Sequence, residues 1–172
     1  MATDKNALTF DSNKLGQYLA KHVADFSEIN HIEKFPGGQS NPTFKLSTAN
    51  KTYVLRKQPP GKILKSAHAV DREYKVLNAL KNSDIPVASV HHLCTDNSVI
   101  GEMFYLMDFC DGNIYWDAPL NEIESNQMRS AMYDEMNRVL VNMHSLDIEK
   151  YGLSDYGKAG NYFNRQLSRW IT

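Results

Sequence analysis

The spacing between hydrophobic residues changes along this chain of 172 residues. Apolar residues recur every three or four positions over 13–26, a spacing that predicts an amphipathic helix. Imperfect alternation predicts a strand near 29–35. Alternating β-forming residues at 43–48 and 52–57 flank a short polar turn, which predicts a hairpin. We therefore expect one helix followed by three strands.

The spacing of hydrophobic residues predicts a helix, two strands and then only helices in the rest of the chain. A second helix is expected over 66–80, followed by an antiparallel pair of strands at 89–93 and 103–107. Beyond Gly112 only helical spacing remains. A sheet that comes first, with helices after it, predicts an α+β fold.

The region beyond Gly112 is predicted to contain two helices, of which the second begins near 161. Asn121 and Glu124 offer a capping box for the first of them. Methionine, valine and leucine residues then recur at helical spacing from Met128 to Met143. Such a stripe is more often packed core than a binding groove.

Charge and composition exclude several classes of protein. Lysine and arginine number 19 against 20 aspartates and glutamates, so the balance gives no electrostatic argument for binding nucleic acid or an anionic membrane. No apolar stretch approaches the roughly 20 residues of a membrane span, and the first residues lack the apolar region of a secretory signal. Two cysteines form no disulfide framework, so we expect a cytoplasmic protein.

A glycine-rich turn at 37–41 separates the first two predicted strands. Successive backbone N–H groups in such a turn can cradle a phosphate group, and glycine lets the backbone approach it closely. The residues match neither the P-loop nor the Rossmann pattern, and no helix follows them. An ordinary hairpin turn is the alternative interpretation.

Two charged residues add to this signal. Glu73 lies at the edge of the apolar stripe of the second helix, and no lysine or arginine stands at 69, 70, 76 or 77 to pair with it. Its carboxylate either takes a partner from elsewhere in the fold or stays in solvent at the edge of the stripe. Strand alternation places Arg56 and Lys57 on opposite faces of the third strand, so one of them, but not both, points inward.

A glycine turn, a strand cation and a helix glutamate in this order are typical of a protein-kinase-like nucleotide lobe, in which the segment 108–112 would be the hinge. The sequence FPGGQSNPTFK, then YVLR followed by PPG, and DREYKVL further on resemble the amino-terminal lobe of the aminoglycoside phosphotransferase (choline-kinase-like) family. The likeness is greatest to the kinase-like domain of multidomain acyl-CoA dehydrogenases and their bacterial relatives, and it extends over nearly the whole chain.

The resemblance implies a five-stranded antiparallel sheet plus helix, then the first helices of an incomplete helical lobe. It implies four segments: an amino-terminal helical segment (1–26), a nucleotide-binding lobe (27–107), a hinge (108–113) and the start of the helical lobe (114–172). ATP and Mg²⁺ would be the cofactors. The implied ATP-binding residues are Gly37, Gly38, Ser40 and Asn41 in the phosphate loop, Val54 and Arg56 on the third strand, Glu73, and the adenine-binding hinge residues Met107, Asp108, Phe109 and Cys110.

Two departures from the family qualify this implication. Arginine stands where the family usually has a strand lysine, and Lys57 one position later leaves the register open. No His-Gly-Asp motif of a catalytic loop occurs, and the sequence His144 to Asp147 precedes the place of that loop in the resemblance. The catalytic base and the magnesium ligands are therefore expected beyond Thr172.

The function predicted from these residues is that of an ATP-dependent phosphotransferase acting on a small-molecule hydroxyl, present here as the ATP-binding lobe without the catalytic loop. The alternative is a non-catalytic nucleotide-binding or protein-interaction module. Neither nucleic acid nor a membrane is an expected partner. If the helical lobe is incomplete, part of the methionine stripe would lack cover and could drive self-association into a homo-oligomer.

Overall fold

A five-stranded antiparallel sheet forms the centre of the fold. The computed structural model describes residues 10–36, 40–61, 68–157 and 160–171. Its elements are α1 (Ser12–His22), β1 (Ile29–Lys34), β2 (Thr43–Thr48), β3 (Thr52–Lys57), α2 (Val70–Leu80), β4 (Val90–Cys94), β5 (Phe104–Asp108), α3 (Asn126–His144) and α4 (Tyr162–Trp170). The strands lie in the order β1-β2-β3-β5-β4, and every neighbouring pair is antiparallel. The α+β architecture predicted from the sequence is confirmed.

The main hydrophobic core lies between one face of the sheet and helix α1. Leu15 and Leu19 of the helix are fully buried, at the four-residue spacing that defines its apolar side. They share this core with alternate residues of the strands, among them Leu46, Leu55 and Leu106. Because side chains of a strand alternate between the two faces, Arg56 is directed to the opposite face from Leu55.

Helix α2 covers that opposite face and connects the sheet to the helical region. Its Leu80 packs with Ile85 and Leu153 in a second, smaller core. At its solvent side, Arg72 donates a hydrogen bond to the carbonyl of Tyr156 at 2.7 Å, and its guanidinium lies 4.4 Å from the centre of the Tyr156 ring. The sheet is therefore covered on both faces, which places α2 between β5 and the loop around Tyr156.

The start of α3 differs from the prediction. Asn121 and Glu124 do not cap the helix, because Ser125 is the N-cap residue and its side chain accepts a hydrogen bond from the backbone N–H of Met128. Asn121 instead donates to the carboxylate of Asp117 within the preceding turn. A serine side chain at the N-cap position can satisfy a free N–H of the first helical turn without a capping box.

The apolar stripe of α3 is exposed, which contradicts its interpretation as core. No residue of this helix is buried, and the side chains of Met128, Met136 and Met143 are more than half exposed. Trp116 and Phe163 nearby are also largely exposed. Among the described residues, no helix combines the length and apolar character that crossing a membrane requires.

Candidate functional site

An ion pair joins the central strand to helix α2. The Nε of Arg56 donates to Oε2 of Glu73 at 2.7 Å, and its Nη2 lies 3.4 Å from Oε1. The two side chains are 29% and 34% exposed, so the pair lies at the edge of a cleft and remains accessible to a ligand. Of the two alternatives that the sequence left open for Glu73, the structure shows the first: its partner comes from elsewhere in the fold.

Lys57 points to the other face of the sheet. Its side chain is 1% exposed, and its ammonium lies 2.5 Å from a carboxylate oxygen of Glu102. The two cations point to opposite faces of the sheet, as strand alternation predicts, and because both faces are covered each cation has a carboxylate partner of its own. Arg56 is the cation that lies beside Glu73, and Lys57 belongs to a buried ion pair of its own.

Glu73 is surrounded by hydrogen-bond donors. The amide Nδ2 of Asn41 donates to Oε1 at 2.9 Å, and the hydroxyl of Tyr105 donates to Oε2 at 3.1 Å. Together with the guanidinium of Arg56, these groups use both carboxylate oxygens from different directions. The carboxylate is therefore held in one orientation.

The guanidinium of Arg56 is fixed on a second side and still has free donors. Its Nη1 donates to the hydroxyl of Thr43 at 3.1 Å, and that hydroxyl donates to the carbonyl oxygen of Asn41 at 3.1 Å. A guanidinium has five N–H groups. Three of them bind Glu73 and Thr43, and within the described part of the chain the remaining two have no protein acceptor. Two N–H groups in one plane suit an oxyanion such as phosphate.

An open cleft of about 480 Å³ lies in front of this ion pair. Its volume is within the roughly 300–1,000 Å³ that is usual for small-molecule sites. Val54 and Met107 are partners across β3 and β5, and Met107 lines the cleft beside the charged pair. The lining residues are Arg56, Glu73, Val76, Leu77, Tyr105, Met107 and Tyr156. The cleft therefore combines a charged pair with apolar side chains in its lining.

Tyr105 was not a candidate from the sequence, although its position two residues before Met107 puts both on one face of β5. Burial and the adjacent charge of Glu73 raise the pKa of its phenol. The hydroxyl therefore stays protonated well above the usual tyrosine pKa of about 10 and keeps donating to the carboxylate.

Replacing Tyr105 by phenylalanine removes this donor and leaves the ring in place. Removal of one hydrogen bond to a charged group is expected to destabilise the fold by about 1–2 kcal/mol. The free energy of unfolding in urea measures this loss. A spectrophotometric titration supplies the second test. Burial raises the pKa of both Tyr18 and Tyr105, so at least two tyrosines of the wild type are expected to fail to ionise near pH 10. Tyr105→Phe is expected to lose one of them, and Tyr133→Phe, which changes a partly exposed residue of α3, is the control that keeps both. A titration that is the same for both variants would contradict the assignment.

The predicted phosphate loop is only partly described. Gly37 and Gly38 lie outside the described residues, and Ser40 is exposed at the edge of the described part. Asn41 is 3% exposed, and both atoms of its side-chain amide are bonded within the protein, to Glu73 and His68. Its side chain is therefore held within the protein and contacts the ion pair.

The side chain of the hinge residue Asp108 is bonded within the protein. The carboxylate of Asp108 turns away from the cleft and accepts hydrogen bonds from Lys51 and His91, each at 2.6 Å. Burial pushes the pKa of Asp108 upward, but the hydrogen bonds from these two partners outweigh it, so the pKa lies below its usual value. Asp108 can therefore serve a ligand in the cleft only through its backbone.

The backbone N–H groups of the hinge are partly used by the sheet. Asp108 donates to the carbonyl of Ser89 at 2.9 Å, and Phe109 donates to that of Thr52 at 3.3 Å. Cys110, the last of the expected hinge residues, has an exposed side chain. Among the described hinge groups, the backbone of Cys110 is the first beyond the sheet that has no such hydrogen bond.

The helical region contributes positioning contacts but no metal site. Among the described residues, no three histidine, cysteine or acidic side chains come together in a way that could hold a metal ion. Asp147 caps a turn, since one of its oxygens accepts hydrogen bonds from the backbone N–H groups of Glu149 and Lys150. A metal site made of three such protein ligands is therefore absent from the described residues.

Known proteins resemble this chain in sequence and in fold. A family model described as "Phosphotransferase enzyme family" matches residues 31–171. Acyl-CoA dehydrogenase family member 10 of Mus musculus is 45% identical over 137 residues, which is 80% of this chain and 13% of that protein. Acyl-CoA dehydrogenase family member 11 of Homo sapiens is 40% identical over 165 residues, which is 94% of this chain and 21% of that protein.

A solved structure shares the fold. The crystal structure of a protein from Ralstonia eutropha JMP134, assigned as an aminoglycoside phosphotransferase, superposes with a TM-score of 0.80 at 47% identity. The match covers 94% of this chain and 46% of that one. The chain thus spans about a fifth or less of the two curated relatives and under half of the solved structure.

Proposed function

Because the chain belongs to the phosphotransferase enzyme family, we propose that the cleft beside Arg56 binds ATP and that the protein acts in ATP-dependent phosphoryl transfer to a small-molecule hydroxyl. The observation that carries this proposal is the guanidinium of Arg56, which is held by Glu73 and Thr43 and keeps two N–H groups for a ligand. A fixed cation at the end of an apolar cleft suits a ligand with a flat apolar end and an anionic end.

The phosphate end of the nucleotide would lie at Arg56. Charge-assisted hydrogen bonds between a guanidinium and phosphate oxygens are about twice as strong as neutral ones. Glu73 does not bind the nucleotide in this account; its negative charge holds the guanidinium in place. Gly37, Gly38 and Ser40 would supply backbone N–H groups above the phosphates.

The adenine end would lie against Val54 and Met107, which pair across the sheet. Of the hinge, we propose that the backbone of Cys110 meets the edge of the base, because the N–H groups of Asp108 and Phe109 already bind carbonyl groups of the sheet. The proposed hinge is the segment expected from the sequence, but the backbone group that meets the base belongs to Cys110 at the end of that segment.

The transfer step itself is proposed for the protein family and is not located in these residues. Within the described residues no three histidine, cysteine or acidic side chains come together, and the sequence contains no His-Gly-Asp motif. These two observations favour a second candidate for the chain as given, a nucleotide-binding module that binds ATP without transferring phosphate. Binding is common to both candidates, and turnover separates them.

Isothermal titration of the chain with ATP and with adenosine tests the proposal. We expect ATP to bind at least roughly tenfold more tightly, because adenosine lacks the groups that Arg56 would hold. Asp147→Ala is the control and is expected to leave both affinities unchanged, since Asp147 only caps a turn. Absence of ATP binding, or equal affinity for both ligands, would contradict the proposal. Release of phosphate by the chain would reject the non-transferring candidate.

A further inference from the structure

We propose that Asn41 and His68 are positioning residues, which orient Arg56 by acting on Glu73 and Thr43. The contacts form a closed ring in which Asn41 binds Glu73 through its side chain and Thr43 through its carbonyl oxygen. Arg56 closes the ring, since it donates to both Glu73 and Thr43. Asn41 is thus bonded to each of the two groups that hold the guanidinium.

The direction of each hydrogen bond in this ring follows from chemistry. An ionised carboxylate can only accept, so the atom of Asn41 next to Glu73 is the amide nitrogen, which leaves its oxygen as an acceptor. The Nδ1 of His68 lies 3.1 Å from that oxygen and must therefore carry the proton. Both the neutral Nδ1–H tautomer and the imidazolium satisfy this condition, so the link persists when His68 is protonated.

His68 is itself fixed at the start of α2. Its backbone is left-handed, with φ of 59°, a conformation that costs energy for a residue other than glycine, asparagine or aspartate. Its carbonyl oxygen accepts hydrogen bonds from the side-chain amide of Gln58 at 3.2 Å and from the N–H of Val70 at 2.9 Å. Gln58 directly follows β3, so His68 connects the end of that strand to the helix that presents Glu73.

These contacts reduce the conformational freedom that the Arg56 side chain would lose when it binds a ligand. An arginine side chain that is free to change rotamer loses conformational freedom when it binds a ligand, whereas one that is already held loses little. Asn41 is 3% exposed, so its two amide hydrogen bonds lie in a site where water competes poorly. Loss of the bond from His68 would let the Asn41 amide rotate and would loosen Glu73 and Arg56 in turn.

Two substitutions of His68 separate positioning from a structural role. Asparagine and glycine both accept the left-handed backbone, but only asparagine keeps a side-chain N–H at the place of Nδ1. The first measurement, on the nucleotide-free chain, is the solvent exchange rate of the Arg56 Nε–H by NMR. We expect exchange roughly tenfold faster in His68→Gly than in the wild type, and a rate within about twofold of the wild type in His68→Asn.

The second measurement is the affinity for ATP and for adenosine, and only this part rests on the proposed function. His68→Gly is expected to bind ATP roughly tenfold more weakly and adenosine equally well, and His68→Asn is expected to restore ATP binding. Asn41→Ala, which removes both amide hydrogen bonds, is the second variant and is expected to behave as His68→Gly does.

Different results would overturn the two claims. Equal Arg56 Nε–H exchange in His68→Gly and His68→Asn would overturn the positioning role, whether or not the chain binds a nucleotide. Failure of the wild type to bind ATP, with the exchange difference intact, would overturn the proposed function alone. Thermal unfolding of each variant identifies any that does not fold, and Asn41→Ala then decides the exchange test in its place.

Discussion

Replacing Arg56 by alanine is expected to weaken ATP binding by roughly 10- to 100-fold. Hydrogen bonds to charged groups contribute about 1.5–3 kcal/mol, and a factor of ten corresponds to about 1.4 kcal/mol. The substitution also leaves the negative charge of Glu73 facing the phosphates, which adds repulsion to the lost contact. Isothermal titration with ATP measures the effect.

Two controls accompany this variant. Arg56→Lys keeps the charge and loses the planar pair of N–H groups, so its affinity is expected to lie between those of the wild type and the alanine variant. Adenosine is expected to bind wild type and Arg56→Ala alike, since it has no phosphate. An unchanged affinity of folded Arg56→Ala for ATP would remove Arg56 from the site.

Replacing Lys57 by alanine is expected to have the opposite pattern, a large loss of stability with unchanged nucleotide binding. Lys57 is 1% exposed and pairs with Glu102 on the α1 face of the sheet. Removal of one partner of a buried ion pair leaves the other charge poorly solvated and costs about 3 kcal/mol. Urea denaturation measures the stability, and titration with ATP is expected to give an affinity within about twofold of the wild type.

The double variant Lys57→Met with Glu102→Leu is the matched control. It removes both charges and keeps apolar volume in their place, so its stability is expected to be close to that of the wild type. If folded Lys57→Ala lost ATP binding while Arg56→Ala kept it, the assignment of the two cations to the two faces would be wrong.

The hairpin of β2 and β3 illustrates what the sequence could predict. Both strands have the predicted bounds, because strict alternation and a polar turn are local signals that do not depend on the rest of the fold. The sequence also narrowed the options for Glu73: no lysine or arginine stands three or four residues away on its helix, so its carboxylate either took a partner from another element or stayed in solvent, and the structure shows the partner.

The remaining contacts of the site could not be predicted from local patterns. His68 lies within the helix predicted over 66–80 but precedes the start of α2 at Val70, and its bond to Asn41 joins residues that lie 27 positions apart. Alternation alone could not decide between Arg56 and Lys57, because it does not say that both faces of the sheet are covered. The exposure of the Met136 side of α3 could be expected only on the condition that the helical lobe is incomplete, since helical spacing shows which residues share a face and not what packs against it.

The most direct test of the central claim is a crystal structure of the chain with a non-hydrolysable ATP analogue. We expect phosphate oxygens within hydrogen-bonding distance of the two Arg56 N–H groups that have no acceptor among the described residues, with the Arg56–Glu73 pair intact and the base beside Met107 and the backbone of Cys110. An analogue bound elsewhere, such as in the groove between α1 and β1 or on the exposed side of α3, would contradict it, as would a phosphate group held by Lys57.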